Sequence, residues 1–229
     1  MTDLVPDIAA EIAERRTAIL QRISAAAQTA RRSASDIALV AVSKVQPDDR
    51  VDAMLAAGQR VFGENRVQEA QARWTERRQR YSDLELRLVG PLQSNKAGDA
   101  VALFDVIETL DRDSLARALR KEMDKQGRTP RLYVQVNTGE ENQKSGIPPQ
   151  EAVAFVERMR LEYGFDIDGL MCIPPVGEPA GPHFALLADL SRACGVEKLS
   201  MGMSGDFETA IRFGATSVRV GTALFGERG

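Results

Sequence analysis

Lys44 closes the apolar run Ile37-Ala38-Leu39-Val40-Ala41-Val42-Ser43, and an amine at the end of a core strand has two uses. Lysine is costly to bury unless it is paired or has work to do. It either reaches back to solvent or serves Schiff-base chemistry, since desolvation lowers its pKa from a reference of about 10.4. A second group lies far along the chain. Met203-Ser204-Gly205-Asp206 ends one strand and opens a helix to Phe213-Gly214, and Gly221-Thr222 follows the last strand. Free N–H groups at a helix start, with small residues that let an anion approach, suit a phosphate. The structural alternative makes Ser204 an N-cap and Gly221 a turn glycine. Arg219, between Val218 and Val220, needs a partner inside a strand: an ion pair with Glu64 or Glu108, or the ring nitrogen of a bound heterocycle. Asn65, the loop Gln93-Ser94-Asn95-Lys96 and Asn137 complete the polar groups at strand ends. Together they fit one ligand that is both carbonyl-bearing and phosphorylated.

The elements that must position these groups repeat one unit: short apolar strand, polar turn, amphipathic helix. The run before Lys44 is the first strand, followed by a helix from Asp48-Asp49 to Gly58. Val61-Phe62 starts strand two, with a helix over Val67 to Arg78. Leu86 to Val89, Val106-Ile107 and Leu132 to Val136 are strands three to five. Helices run from Asp111-Arg112-Asp113-Ser114 to about Gln126 and onward from Pro148-Pro149. Ile167 to Cys172, Leu199 to Met203 and Ser217 to Val220 are strands six to eight. Val176 to Pro182 forms a loop before a helix over Phe184 to Ala193. Continuous apolar strands with short helical crossovers are the pattern of a parallel sheet, and eight of them close a barrel. The expected fold is α/β, a single (β/α)8 TIM-type barrel over residues 1–229. Residues 1–34 form a helical extension packed on it, with Ile8, Ile12, Ile19 and Ile23 on one stripe and Pro6-Asp7 as start signals. An open doubly wound sheet is the alternative, but no Gly-rich dinucleotide fingerprint follows strand one.

The 229 residues are 43% hydrophobic and 28% charged, with a formal net charge of -3. That balance gives no pull toward nucleic acid or an anionic membrane. No apolar run approaches the ~20 residues of a membrane span, and no signal-peptide core is seen. Cys172 and Cys194 have neither metal-ligand spacing nor a disulfide framework, which suits a reducing cytoplasm. The single histidine, His183, reads as a surface or capping residue, so a zinc site is not expected.

Six segments carry a family resemblance: Ala41-Val42-Ser43-Lys44, FGENRVQE from Phe62, GPLQSNK from Gly90, GLMCIPP from Gly169, MGMSGDFETAI from Met201 and RVGTALFG from Arg219. In this order they resemble the pyridoxal phosphate homeostasis family, similar in fold to the N-terminal barrel of alanine racemase. The resemblance implies that Lys44 holds pyridoxal 5'-phosphate (PLP) as an internal aldimine and that Ser204, Gly221 and Thr222 hold its phosphate. Asn65 would lie near the ring and Arg219 would face the pyridine nitrogen. An arginine there donates without supplying a proton, so the ring stays a weak electron sink. Two departures stand out. Leu86-Arg87-Leu88-Val89 lacks a histidine often found before the GPLQSNK segment, and Cys172 sits where threonine is common; a small buried residue is the expected reading there, a reactive thiol the other.

Racemisation needs an acid–base group on each face of the cofactor. Alanine racemase takes its second from a tyrosine of a further domain, which a chain ending at Gly229 is not expected to contain. Tyr133 falls at the wrong end of strand five, and Tyr81 and Tyr163 in helix ends or loops. The expectation is therefore a carrier or regulator in PLP homeostasis, not an enzyme with robust turnover, with apo PLP-dependent enzymes as possible recipients. A low-activity amino-acid racemase and a Schiff-base aldolase are the rivals. Lys144, in the loop after strand five, is a candidate second amine that relays the aldehyde or else a solvated loop lysine.

Overall fold

The computed structural model describes residues 8–226; Pro6 and Asp7, expected as helix-start signals, lie outside the described residues. Helix α1 (Ile8–Thr29) precedes the first strand and packs against later helices through Ile12, Ile19 and Ile23, all buried. The chain then runs β1 (Ala38–Val42), α2 (Asp48–Ala56), β2 (Val61–Glu64), α3 (Val67–Arg80), β3 (Glu85–Leu88), α4 (Ala97–Leu103), β4 (Val106–Leu110) and α5 (Asp113–Gln126). It continues β5 (Arg131–Val136), α6 (Ala152–Tyr163), β6 (Ile167–Cys172), α7 (Ala180–Cys194), β7 (Lys198–Ser200), α8 (Phe207–Arg212), β8 (Ser217–Val220) and α9 (Thr222–Phe225). Each strand pairs in parallel with the next, and β1 pairs with β8, so the sheet closes in the order β1 to β8. This is the (β/α)8 barrel expected from the repeated unit.

The main core lies between sheet and helices, where Phe62, Trp74, Leu86, Leu88, Phe104 and Phe155 are buried. A separate apolar group, Val106, Tyr133 and Met171, lies apart from it. Strand residues alternate between faces, so the remaining inward positions are free to be polar. Arg87, Glu108, Ser200 and Arg219 take them, all buried and linked to one another.

Several boundaries differ from the sequence reading. Helix α4 was not expected, because Ala97-Gly98-Asp99-Ala100 is too small and mixed to show a periodic stripe. Strand β7 ends at Ser200 rather than Met203, since Gly202 takes φ +93° and turns the chain out of the ladder. Helix α7 starts at Ala180, within the expected loop. His183 is corrected as well. It occupies the first turn of α7 with its side chain only 11% exposed, Nδ1 3.1 Å from the Thr138 carbonyl and Nε2 3.2 Å from the Glu178 carboxylate. It ties the segment after β5 to the segment after β6, and is not a surface or capping residue.

Candidate functional site

Lys44 follows β1 directly, and Glu64, the last residue of β2, supports that strand end from outside the barrel wall. The Glu64 carboxylate is fully buried and accepts from Ser43 Oγ at 2.7 Å and from Trp74 Nε1 at 2.9 Å. Glu64 thus ties the residue before Lys44 to α3 and is not a partner of Arg219. The next residue, Asn65, is held by close backbone approach. A Cβ at Gly90 would fall 2.3 Å from the Asn65 carbonyl oxygen, so only glycine lets the end of β3 pass the end of β2.

On the opposite wall, Arg219 is 4% exposed. Its Nη1 donates to Ser200 Oγ at 2.6 Å and its Nη2 to the Cys172 carbonyl at 2.8 Å. Glu108 reaches Arg219 only through Ser200, whose hydroxyl donates to Glu108 Oε2 at 2.5 Å. The direct ion pair considered from sequence is therefore replaced by a hydroxyl bridge. Beyond Glu108 the links continue to Arg87 Nη1 at 3.1 Å, from Arg87 Nε to Glu85 at 2.7 Å, and from Glu85 to Arg131 Nη2 at 2.5 Å. Burial works against the charge of Arg87, but Glu108 and Glu85 outweigh it and hold the guanidinium above its ordinary value. Burial pushes the Tyr133 hydroxyl up to about 12, against the pull of Arg87.

Between Gly202 and α8 the chain makes a turn in which Met203 N donates to Asp206 Oδ1 at 2.6 Å. Asp206, not Ser204, is the N-cap residue of α8. The N–H groups of Ser204, Gly205 and Thr222 take no acceptor among the described residues. A Cβ at Gly205 would meet no atom within 4 Å, leaving open space beside these donors.

These groups meet in one cavity at the C-terminal mouth of the barrel. Lys44, Asn65, Ser204, Arg219, Gly221 and Thr222, the six positions singled out from sequence, all line it. So do Val42, Val89, Ile173, Met203 and Gly205, which supply apolar walls and one more amide. The cavity volume is about 350 Å³ and the cavity opens to solvent, at the lower end of the ~300–1,000 Å³ usual for small-molecule sites. Of the added residues, only Met203 and Gly205 had a signal in the sequence, through their place beside Ser204. Other expected groups lie elsewhere. The Gln93–Lys96 loop lines a neighbouring cavity with Arg66 and Arg112. Asn137 closes its own loop by bonding Glu141 through both amide atoms. Lys144 Nζ lies 2.5 Å from Glu141 Oε2 and 3.3 Å from the Pro174 carbonyl, in an adjoining cavity that shares Asn65, Val89 and Ile173 with the main one.

Fold and site define a class: an eight-fold barrel with a lysine, an arginine and a cluster of free amides converging on an open C-terminal mouth. Residues 18–229 match the family described as alanine racemase, N-terminal domain. The pyridoxal phosphate homeostasis protein of Pseudomonas aeruginosa is 41% identical over 95% of this chain and 96% of its own length. That of Vibrio cholerae is 38% identical over 92% and 93%. Among solved structures, PipY of Synechococcus elongatus with PLP bound superposes with a TM-score of 0.80 at 37% identity, covering 94% of this chain and all of PipY. The chain belongs to the pyridoxal phosphate homeostasis family, within the alanine racemase N-terminal domain fold.

Proposed function

We propose that this cavity binds PLP and that the protein carries the cofactor for intracellular vitamin B6 homeostasis. Lys44 would supply the amine that captures the cofactor aldehyde, a condensation that releases one water and changes no oxidation state. Ser204, Gly221 and Thr222 hold the phosphate, with the amides of Ser204, Gly205 and Thr222 as donors. Asn65 would border the ring, and Arg219 would serve the pyridine nitrogen as a permanent donor. The observation that supports this reading is the convergence of all six residues, from four different strand ends, on one open cavity. The donor set fits the cofactor's three features: an aldehyde, a basic ring nitrogen and a phosphate dianion.

The role is carriage rather than turnover. Tyr133 lines a cavity with Arg87, Arg131 and Lys198 at the N-terminal end of the barrel, Tyr163 stacks on Phe165, and Tyr81 lies under Arg60. None of them lines the Lys44 cavity among the described residues, so none is placed to exchange a proton there. Absence of deuterium incorporation at the α-carbon of D- and L-amino acids is the expected result. An open mouth suits release to apo PLP-dependent enzymes, with Lys144 as a second amine once it leaves Glu141. If Lys144→Ala leaves transfer to an apo-enzyme unchanged, that relay is abandoned. Cys172 and Cys194, both free and buried, fit the cytoplasmic location read from sequence. Among the described residues no helix is long and apolar enough to cross a membrane.

The experiment is direct. Protein titrated with PLP should acquire visible absorbance that borohydride bleaches, and the reduced adduct should map by tryptic digestion to Lys44. An adduct on another residue in the parent protein, or no chromophore at all, overturns the assignment.

A further inference from the structure

Val45, immediately after Lys44, has φ +53° and is 59% exposed. A β-branched residue is unfavourable in the left-handed region, and glycine or asparagine is the usual occupant. Gln46 N donates to the Ser43 carbonyl at 3.0 Å, so Lys44 and Val45 are the two central residues of a hydrogen-bonded β-turn. Val45 sits at the third turn position without the residue type that position favours. Something outside the turn must hold it.

Arg73, one and a half turns into α3, does so. Its Nη1 donates to the Ser43 carbonyl at 2.5 Å and its Nη2 to the Gln46 carbonyl at 2.7 Å, spanning the turn from both ends. The Arg73 side chain is 15% exposed, and its guanidinium is itself held by Glu64 at 3.2 Å and Asp48 at 3.3 Å. A planar fork with two parallel donors can fix two carbonyls at once. Glu64 adds a third restraint through Ser43 Oγ. The strained residue and the clamp flank Lys44, which lines the cavity, and strain of this kind persists only where its surroundings over-determine it.

We infer that Arg73 is a positioning residue for Lys44: it holds the left-handed turn at Val45 and thereby aims the amine at the ligand carbonyl. Arg73 does not line the cavity, so it acts only through the turn. This inference rests on the reading of Lys44 as the amine that captures the cofactor aldehyde, and its test separates the two.

The probes are PLP and pyridoxine 5'-phosphate, which keeps the ring and phosphate but has an alcohol in place of the aldehyde. Dissociation constants are measured for both ligands, with Trp74 emission and thermal unfolding as checks on the fold. The parent protein should prefer PLP. Arg73→Gln should weaken PLP by about tenfold or more while pyridoxine 5'-phosphate stays within about twofold. Adding Val45→Asn, which enters the left-handed region readily, should recover most of the loss. Val45→Pro supplies an independent route in an exposed loop, because it forces φ to about −65° and forbids the turn. It should show the same selective loss even where Arg73→Gln folds poorly. Equal weakening of both ligands by Arg73→Gln, or an unchanged PLP preference in Val45→Pro, overturns the positioning role. A parent protein with no preference between the probes, and no borohydride-fixed adduct on Lys44, overturns the parent reading together with it.

Discussion

Arg219 and Glu108 do not touch; the Ser200 hydroxyl stands between them, accepting from Arg219 Nη1 at 2.6 Å and donating to Glu108 at 2.5 Å. A single hydroxyl thus joins a buried cation at the cavity wall to a buried anion that is already paired with Arg87. Ser200→Ala would leave both charges without that link. A buried group stripped of its partner costs about 1–3 kcal/mol, more when charged. We expect Ser200→Ala to lower the unfolding free energy by about that amount in urea, and Glu108→Ala by about 3–5 kcal/mol, because it also strips Arg87 of its fully buried partner and leaves it Glu85 alone. The double variant should cost less than the sum, since both changes break one network. Strict additivity would mean that the bridge is only geometric.

Gly90 carries a steric demand of a different kind. A methyl group there would meet the Asn65 carbonyl oxygen at 2.3 Å and its Cα at 2.7 Å, both backbone atoms that cannot swing aside. Gly90→Ala should therefore destabilise the fold by at least the ~1–3 kcal/mol usual for overpacking. It should also weaken PLP binding, because Asn65 and the cavity wall must move. Thermal unfolding and PLP titration of the same preparation check both. A stable variant with unaltered affinity would show that the two strand ends are free to separate.

The sequence was most legible where one residue's position depended on its immediate neighbours. Ile12, Ile19 and Ile23 announced a helix by their spacing, and continuous apolar runs announced strands buried on both faces. Strand ends in a barrel share one face, whatever the exact strand lengths, which gathered all six cavity residues but also Asn137 and the Gln93–Lys96 loop, and the family resemblance separated them. What stayed hidden depends on register around the barrel. Ser200 and Glu108 lie in strands 92 positions apart in the chain, and nothing local says that they meet. The reach of Arg73 back to Ser43 and Gln46 is of the same kind, as is the place of His183 between Thr138 and Glu178. Helix α4 escaped because its residues are small, and small residues bury without leaving a stripe.

Cys172 reads from the sequence as either a packing residue or a reactive thiol, and its surroundings favour the first. It is fully buried, and burial pushes its thiol up to about 12 against the pull of Arg219. At pH 8 such a thiol stays protonated, and the thiolate is the species that reacts. Burial raises the Cys194 thiol too. We expect iodoacetamide at pH 8 to leave both cysteines unmodified in the native protein and to alkylate both in urea, as read by mass spectrometry. Rapid native labelling of Cys172 would require the β6 end to open, which would itself disturb the Arg219 contact with the Cys172 carbonyl.

Glu85 links the interior network to the N-terminal end of the barrel, and its protonation sets an acid limit on stability. Burial works against its charge, but Arg87 and Arg131 outweigh burial and hold its carboxyl below the usual carboxylate range. A group whose folded value is lowered contributes stability that is complete above the unfolded value, about 4.3 for glutamate, and is lost as pH falls through the folded value. Glu85→Gln removes that contribution at every pH. Arg131 is 44% exposed, so solvent screens its half of the pairing and the loss at pH 7 should be modest, about 1 kcal/mol. Measured in urea, the gap between parent and variant should hold from pH 7 to pH 5 and then narrow as the parent is acidified below about pH 4. A gap that persists undiminished at pH 3 would trace the loss to packing around Arg87 rather than to the charge on Glu85.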